Sequence, residues 1–226
     1  MALFTTLARM WLTRSWRPFQ FRNEYDQGLP YDECKKMGLY VHIPFCRTLC
    51  DFCPYCKVPY EPERANRYVE NLLQEIRLVC TNHPKREVTS LYFGGGTPAL
   101  LYQRLEEIIQ ELRRYFVITE GIGVELHPSD VTIPVLQELR RAGVTKLSIG
   151  IQSFQKKYQT LLGRSSVDYS AISAALTKVP FETVSFDFIF ALPGQTISDL
   201  ICDVDLAFQL GANHVALYPF IDFSFA

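Results

Sequence analysis

Six short apolar runs alternate with stretches of helical patterning, and no hairpin signal stands between any two of them. The strand candidates are Leu39–Phe45, Val88–Phe93, Ile122–Leu126, Thr145–Ile151, Thr183–Phe190 and His214–Tyr218. The helical patterns cover Glu63–Cys80, Tyr102–Tyr115, Ile133–Ala142, Gln155–Leu162, Asp168–Lys178 and Thr196–Leu210. Parallel strands need long crossovers, and helices supply them, so this order predicts an α/β fold with a parallel sheet wrapped by helices. Six units suit a partial (β/α)6 TIM-like barrel better than a closed ring of eight. The punctuation agrees. Thr97-Pro98 predicts a helix cap with a first-turn proline, Thr196-x-x-Asp199 predicts a capping box, and Gly143 and Gly211 predict helix ends. Residues 1–38, broken by Gly28, Pro30 and Gly38, read as an N-terminal extension, and residues 39–226 as one core domain.

Side chains alternate across a strand, so period two sorts them into faces. Tyr40/His42, Glu125/His127, Ser148/Gly150/Gln152 and Ser185/Asp187 share one face, while Val41/Ile43, Val124/Leu126, Ile149/Ile151 and Phe186/Phe188 suit packing under helices. The polar residues therefore gather inside, toward the strand ends, which is the active rim of βα barrels.

A net charge of −1 leaves no basic footprint for nucleic acid. No run approaches the ~20 apolar residues that span a bilayer, and the opening segment lacks a cleavage-site pattern. Seven cysteines cannot all pair internally, and four of them crowd into Cys46–Cys56. That spacing suits metal capture better than a disulfide framework and places the protein in a reducing cytoplasm.

Cys46-Arg-Thr-Leu-Cys50-Asp-Phe-Cys53 follows the first strand directly. Three thiolates on one short loop can ligate three irons of a four-iron cluster and leave the fourth iron open to a small molecule. With Cys56 the run reads C-x3-C-x2-C-x2-C, which could instead close a four-thiolate zinc or iron–sulfur site. Gly94-Gly95-Gly96-Thr97-Pro98 follows the second strand, where a backbone without Cβ atoms can approach a ligand closely. No Lys-Ser/Thr follows it, which disfavours a phosphate loop.

The segment Tyr40-Val-His-Ile-Pro-Phe-Cys46-x3-Cys50-x-Phe52-Cys53 resembles the signature of the oxygen-independent coproporphyrinogen III oxidase family of radical S-adenosylmethionine (SAM) proteins, and the resemblance runs from Leu39 to about Ile221. It implies that Cys46, Cys50 and Cys53 hold a [4Fe-4S] cluster and that Tyr40, Phe52, Gly95, Gly96, Thr97 and Glu125 contact SAM. Gln152, Arg164 and Asp187 match positions for a second SAM, and Ile221 aligns with a last contact, so one or two molecules are expected. The implied chemistry is reductive cleavage of SAM to a 5′-deoxyadenosyl radical, which takes a hydrogen atom from a small-molecule substrate such as a tetrapyrrole. An electron donor such as flavodoxin or ferredoxin is implied as a partner.

Two departures limit the inference. The oxidase carries a further cysteine two positions beyond its third ligand, whereas here Pro54-Tyr55 precede Cys56. The family's C-terminal domain, which covers the barrel mouth, is expected to be absent because the chain stops at Ala226, which leaves three alternatives: a truncated chain, a naturally minimal protein, or one that borrows a lid from a partner. The same core occurs in haem-binding chaperones, and two SAM molecules would also suit a radical SAM methyltransferase. These stand as alternatives to the oxidase.

Overall fold

The computed structural model describes Cys34 and residues 36–221, apart from Asp51 and Asn82. The expected N-terminal extension therefore lies outside the described residues except at its end. Six strands form one sheet: β1 (Leu39–Ile43), β2 (Leu91–Gly95), β3 (Ile122–Leu126), β4 (Lys146–Gln152), β5 (Thr183–Phe190) and β6 (His214–Pro219). Their order in space is their order in sequence. Every pair is parallel, with Ile43 opposite Gly95, Leu91 opposite Ile122, Val124 opposite Leu147, Gly150 opposite Asp187 and Asp187 opposite Ala216. Since β1 and β6 are the two edges, the sheet is open, as a partial barrel requires.

The crossovers are helical: α1 (Pro62–Cys80), α2 (Tyr102–Arg113), α3 (Ile133–Arg141), α4 (Lys156–Leu161) and α5 (Tyr169–Lys178), with α6 (Ile197–Gln209) between β5 and β6. Apolar residues three and four apart turn one stripe of each helix inward. Val69, Leu73 and Ile76 of α1, Leu105, Ile108 and Leu112 of α2, and Leu136 and Leu139 of α3 are all buried. They join Val41, Ile43, Val124, Leu126, Ile149, Ile151, Phe186 and Phe188 in one core, the face that alternation assigned to the helices. Each such side chain contributes roughly 1.5–3 kcal/mol by leaving water, and this core fixes the register that aims the opposite face inward.

Most helix ends follow the punctuation. Thr196 and Asp199 form the expected reciprocal capping box, and Gly143 and Gly211 adopt φ of +92° and +105° just past their helices. Three expectations need correction. Val88–Phe93 is two elements: Arg86–Val88 pairs with Phe116–Ile118 as a separate short ladder, and β2 begins at Leu91. The apolar run hid this break because Thr89 donates through its backbone to Met37 and leaves the strand. The first run also divides: Pro44 ends β1, and Phe45–Cys46 pairs with Val58–Pro59. Finally, Thr97 starts a 3-10 turn (Pro98–Leu101) without a side-chain cap, because its hydroxyl points to a cysteine.

Candidate functional site

The loops after β1, β2, β3 and β4 all leave from the same end of the parallel sheet, and the predicted residues lie there. Cys46 follows β1 by way of Pro44-Phe45. The glycine segment meets it at once. Gly96 N–H donates to the Ile43 carbonyl at 2.8 Å, Thr97 N–H donates to the Phe45 carbonyl at 2.7 Å, and Thr97 Oγ1 lies 3.9 Å from Cys46 Sγ. The fit is tight enough to exclude any side chain at Gly96, where a Cβ would stand 2.6 Å from the Phe45 carbonyl oxygen and 2.9 Å from Cys46 Sγ. Burial pushes the Cys46 thiol pKa up, partly offset by the Thr97 hydroxyl, and the nearby Cys53 and Cys50 thiols raise it further.

Cys50, Cys53 and Cys46 are each half-buried, whereas Cys56 is exposed. The loop is stitched by Cys53 N–H donating to the Cys50 carbonyl at 3.3 Å, and by Lys57 Nζ donating to the Cys53 carbonyl. His42 Nε2 meets the Cys56 carbonyl at 3.0 Å. Across the rim, Arg47 pairs with Asp130, whose carboxylate is buried just beyond β3. Phe52 packs on a second apolar cluster of Tyr158, Leu162, Ile189 and Leu192. The cysteine loop is therefore anchored at three points around the mouth.

The inner face is a connected polar array. Tyr92 Oη donates to Glu125 Oε1 at 3.1 Å, and Gly95 N–H donates to Glu125 Oε2 at 3.1 Å. These donors partly offset the burial that raises the Glu125 pKa. Tyr40 stacks on Tyr92 with ring centroids 6.4 Å apart, and its hydroxyl reaches His42 Nδ1 at 3.1 Å. Asp187 accepts from Ser148 and, at 2.9 Å, from Ser185, while burial pushes its pKa up. Arg164 lies 5.8 Å over the Phe52 ring, and its Nε and Nη1 are buried with no hydrogen-bond partner. A buried guanidinium with unmet donors is a place for an anionic group.

The structure thus brings together Tyr40, Gly95, Gly96, Thr97, Glu125 and Cys46 at the β1–β3 side, and Gln152, Arg164 and Phe52 at the β4 side. Ile221 lies half exposed beyond β6, next to Phe220, which packs on the same apolar cluster as Phe52. Sequence reasoning missed Tyr92, Arg47 and Asp130. Alternation with Gly94 puts Tyr92 on the inner face, but nothing in the sequence pairs Arg47 with a residue 83 positions away.

Comparison with known proteins gives the same outline. The sequence pattern of the radical SAM superfamily matches residues 40–207. The chain belongs to the radical SAM superfamily. The heme chaperone HemW of Lactococcus lactis is 31% identical over 83% of this chain and 50% of its own length. The oxygen-independent coproporphyrinogen III oxidase of Escherichia coli K12 is 32% identical over 82% of this chain and 42% of its own. The solved structure of coproporphyrinogen III oxidase HemN from Escherichia coli, described as a radical SAM enzyme, superposes with a TM-score of 0.74 at 30% identity, covering 84% of this chain and 45% of that one. The chain spans about half the length of the curated relatives it matches.

For a radical SAM protein the test is whether these residues suit a cluster with an open iron. The donor set does: three half-buried thiols share one stitched loop, and one of them lies against a glycine cradle. Among the described residues no three His, Cys, Asp or Glu side chains converge on a single point for a metal ion. Thiolates that each bind a different iron need no such common point.

Proposed function

We propose that this chain is a SAM-cleaving radical enzyme of the coproporphyrinogen oxidase type, with Cys46, Cys50 and Cys53 holding a [4Fe-4S] cluster and SAM bound beside it. The observation that carries the reading is the packing of Gly96 and Thr97 directly on Cys46, which puts a cradle without side chains next to one thiolate. When bound, the cluster and SAM supply one-electron reductive cleavage and hydrogen-atom abstraction, chemistry that belongs to the cofactors.

The residues orient and enclose. Gly95, Gly96 and Thr97 offer backbone groups to the methionine part of SAM. Glu125 accepts from Tyr92 at Oε1 and from Gly95 N–H at Oε2, and the second lone pair of each oxygen can accept from a ribose or an ammonium group. Tyr40 and Phe52 supply aromatic walls. Arg164 presents its unmet donors to a carboxylate, and Gln152 and Asp187 stand on neighbouring strands, the set that the resemblance gives to a second SAM, with Ile221 as a last contact. Holding the reactants in one geometry is the protein's share of the rate.

The substrate proposed is a tetrapyrrole, the electron donor a flavodoxin or ferredoxin, and the compartment the cytoplasm. No helix among the described residues is long and apolar enough to cross a membrane. A second reading, haem binding without turnover, is favoured by the similarity to HemW. Anaerobic reconstitution followed by a SAM-cleavage assay with porphyrinogens and haem separates the two. Deoxyadenosine formed with loss of porphyrinogen supports the oxidase. Haem retained with no cleavage supports the chaperone, and methylated product would overturn both.

A further inference from the structure

Gln152 has φ of +70°, in the left-handed region that residues with a Cβ seldom occupy, and the β4–β5 pairing shifts register between Gly150 and Gln152. Gln152 rejoins the ladder opposite Phe188 just after the irregularity, in a backbone conformation that the ladder itself does not favour. The next residues in the chain are held firmly. Ser153 is 0% exposed and Asp203 of α6 only 1%. Asp203 Oδ2 accepts the Ser153 hydroxyl at 2.6 Å, and Oδ1 accepts Phe154 N–H at 3.1 Å. Ser153 Oγ in turn accepts Gln155 N–H at 3.1 Å.

A second arm leaves the same knot. Buried Gln159 donates Nε2 to the Ser153 carbonyl at 3.0 Å. Its own backbone carbonyl accepts Arg164 N–H at 2.8 Å. Gln152 and Arg164, twelve positions apart in sequence, are thus tied to one buried polar centre. A carboxylate taken out of water is costly unless donors surround it. Those of Asp203 come from residues 153–155, the turn that carries Gln152. On α6 only Asp203 and Ala207 are buried, so Asp203 is the buried carboxylate that the helix delivers to the turn, while Asp199 one turn earlier accepts from Tyr158 and Lys157 nearer the surface.

We propose that Asp203 is a positioning residue which, through Ser153, holds the strained Gln152 turn and, through Gln159, fixes Arg164, so that both side chains meet SAM in one geometry. The proposal rests on the proposed contact of Gln152 and Arg164 with SAM.

The test is SAM affinity of the anaerobically reconstituted protein, measured beside iron content and melting temperature. Asp203→Asn and Ser153→Ala are each expected to weaken SAM binding about tenfold at unchanged iron content, the size of loss typical for a supporting partner of a ligand. Leu136→Ala, a core truncation in α3, is expected to lower the melting temperature without moving the affinity, which separates positioning from general destabilisation. Should Asp203→Asn fail to fold, Ser153→Ala decides. Wild-type affinity in Asp203→Asn and Ser153→Ala, with weakened binding in Gln152→Ala and Arg164→Ala, would overturn the positioning role alone. Wild-type affinity in all four would remove the ligand assignment and the inference with it.

Discussion

The Arg164 guanidinium lies 5.8 Å over the ring of Phe52, so a residue between two cysteines of the loop after β1 touches one that follows α4. This contact closes the rim. It sets an aromatic ring of the cysteine loop against the cation whose Nε and Nη1 are unmet, so the proposed cluster loop and the proposed second cofactor subsite are joined by direct contact.

Gly96→Ala tests the cradle. The added Cβ would meet the Phe45 carbonyl and Cys46 Sγ below 3.0 Å, and a backbone carbonyl cannot swing aside. Overpacking of this kind costs about 1–3 kcal/mol. The expected outcome is a lower midpoint in chemical denaturation together with reduced iron per chain after reconstitution.

Arg47→Ala leaves the buried Asp130 carboxylate without its cation. Asp130 already has a raised pKa because burial outweighs Arg47. A carboxyl whose folded pKa lies above its unfolded value destabilises the fold as pH rises through that interval, and removing Arg47 raises it further. The variant should match wild type near pH 3.5 and lose about 1 kcal/mol by pH 7, a modest figure because Arg47 is largely exposed. Denaturation midpoints at the two pH values check this, and adding Asp130→Asn should remove the pH dependence.

How much of the molecule could be read in the chain divides by range. The inner and outer faces of β1, β3, β4 and β5 followed from alternation, because burial of one face leaves no other register. The nearness of Cys46 to the glycine segment followed from two loops leaving adjacent parallel strands. Arg47 with Asp130, and Ser153 with Asp203, were illegible, since each pair joins residues at least fifty positions apart and periodicity carries no information on such partners. Thr97 misled for the opposite reason. Its local context is that of a cap, but the tertiary partner Cys46 claims the hydroxyl.

His127 has its pKa depressed to about 4, by burial first and then by the charges of Arg164 and Arg47. Between about pH 6.5 and 4 the unfolded chain binds a proton that the folded one refuses, so stability falls as pH falls across that window. His127→Asn can still accept the Ser129 N–H that Nδ1 receives at 3.2 Å. It should flatten the stability profile over the window by at most about 3 kcal/mol, as followed by urea denaturation.

Cys56 is exposed, and the hydrogen bond at its position goes through its backbone carbonyl, which any residue provides. Cys56→Ala should keep iron content near wild type, whereas Cys50→Ala should abolish it. Iron and sulfide quantification after anaerobic reconstitution distinguishes three ligands from four.

The proposed function requires SAM to bind an iron left without a protein thiolate, so the most direct measurement is electron paramagnetic resonance of the reduced, reconstituted protein before and after SAM is added. A [4Fe-4S] signal whose g values shift on addition is the result this account predicts. A signal unchanged by SAM, or a colourless protein holding zinc on these cysteines, would contradict it.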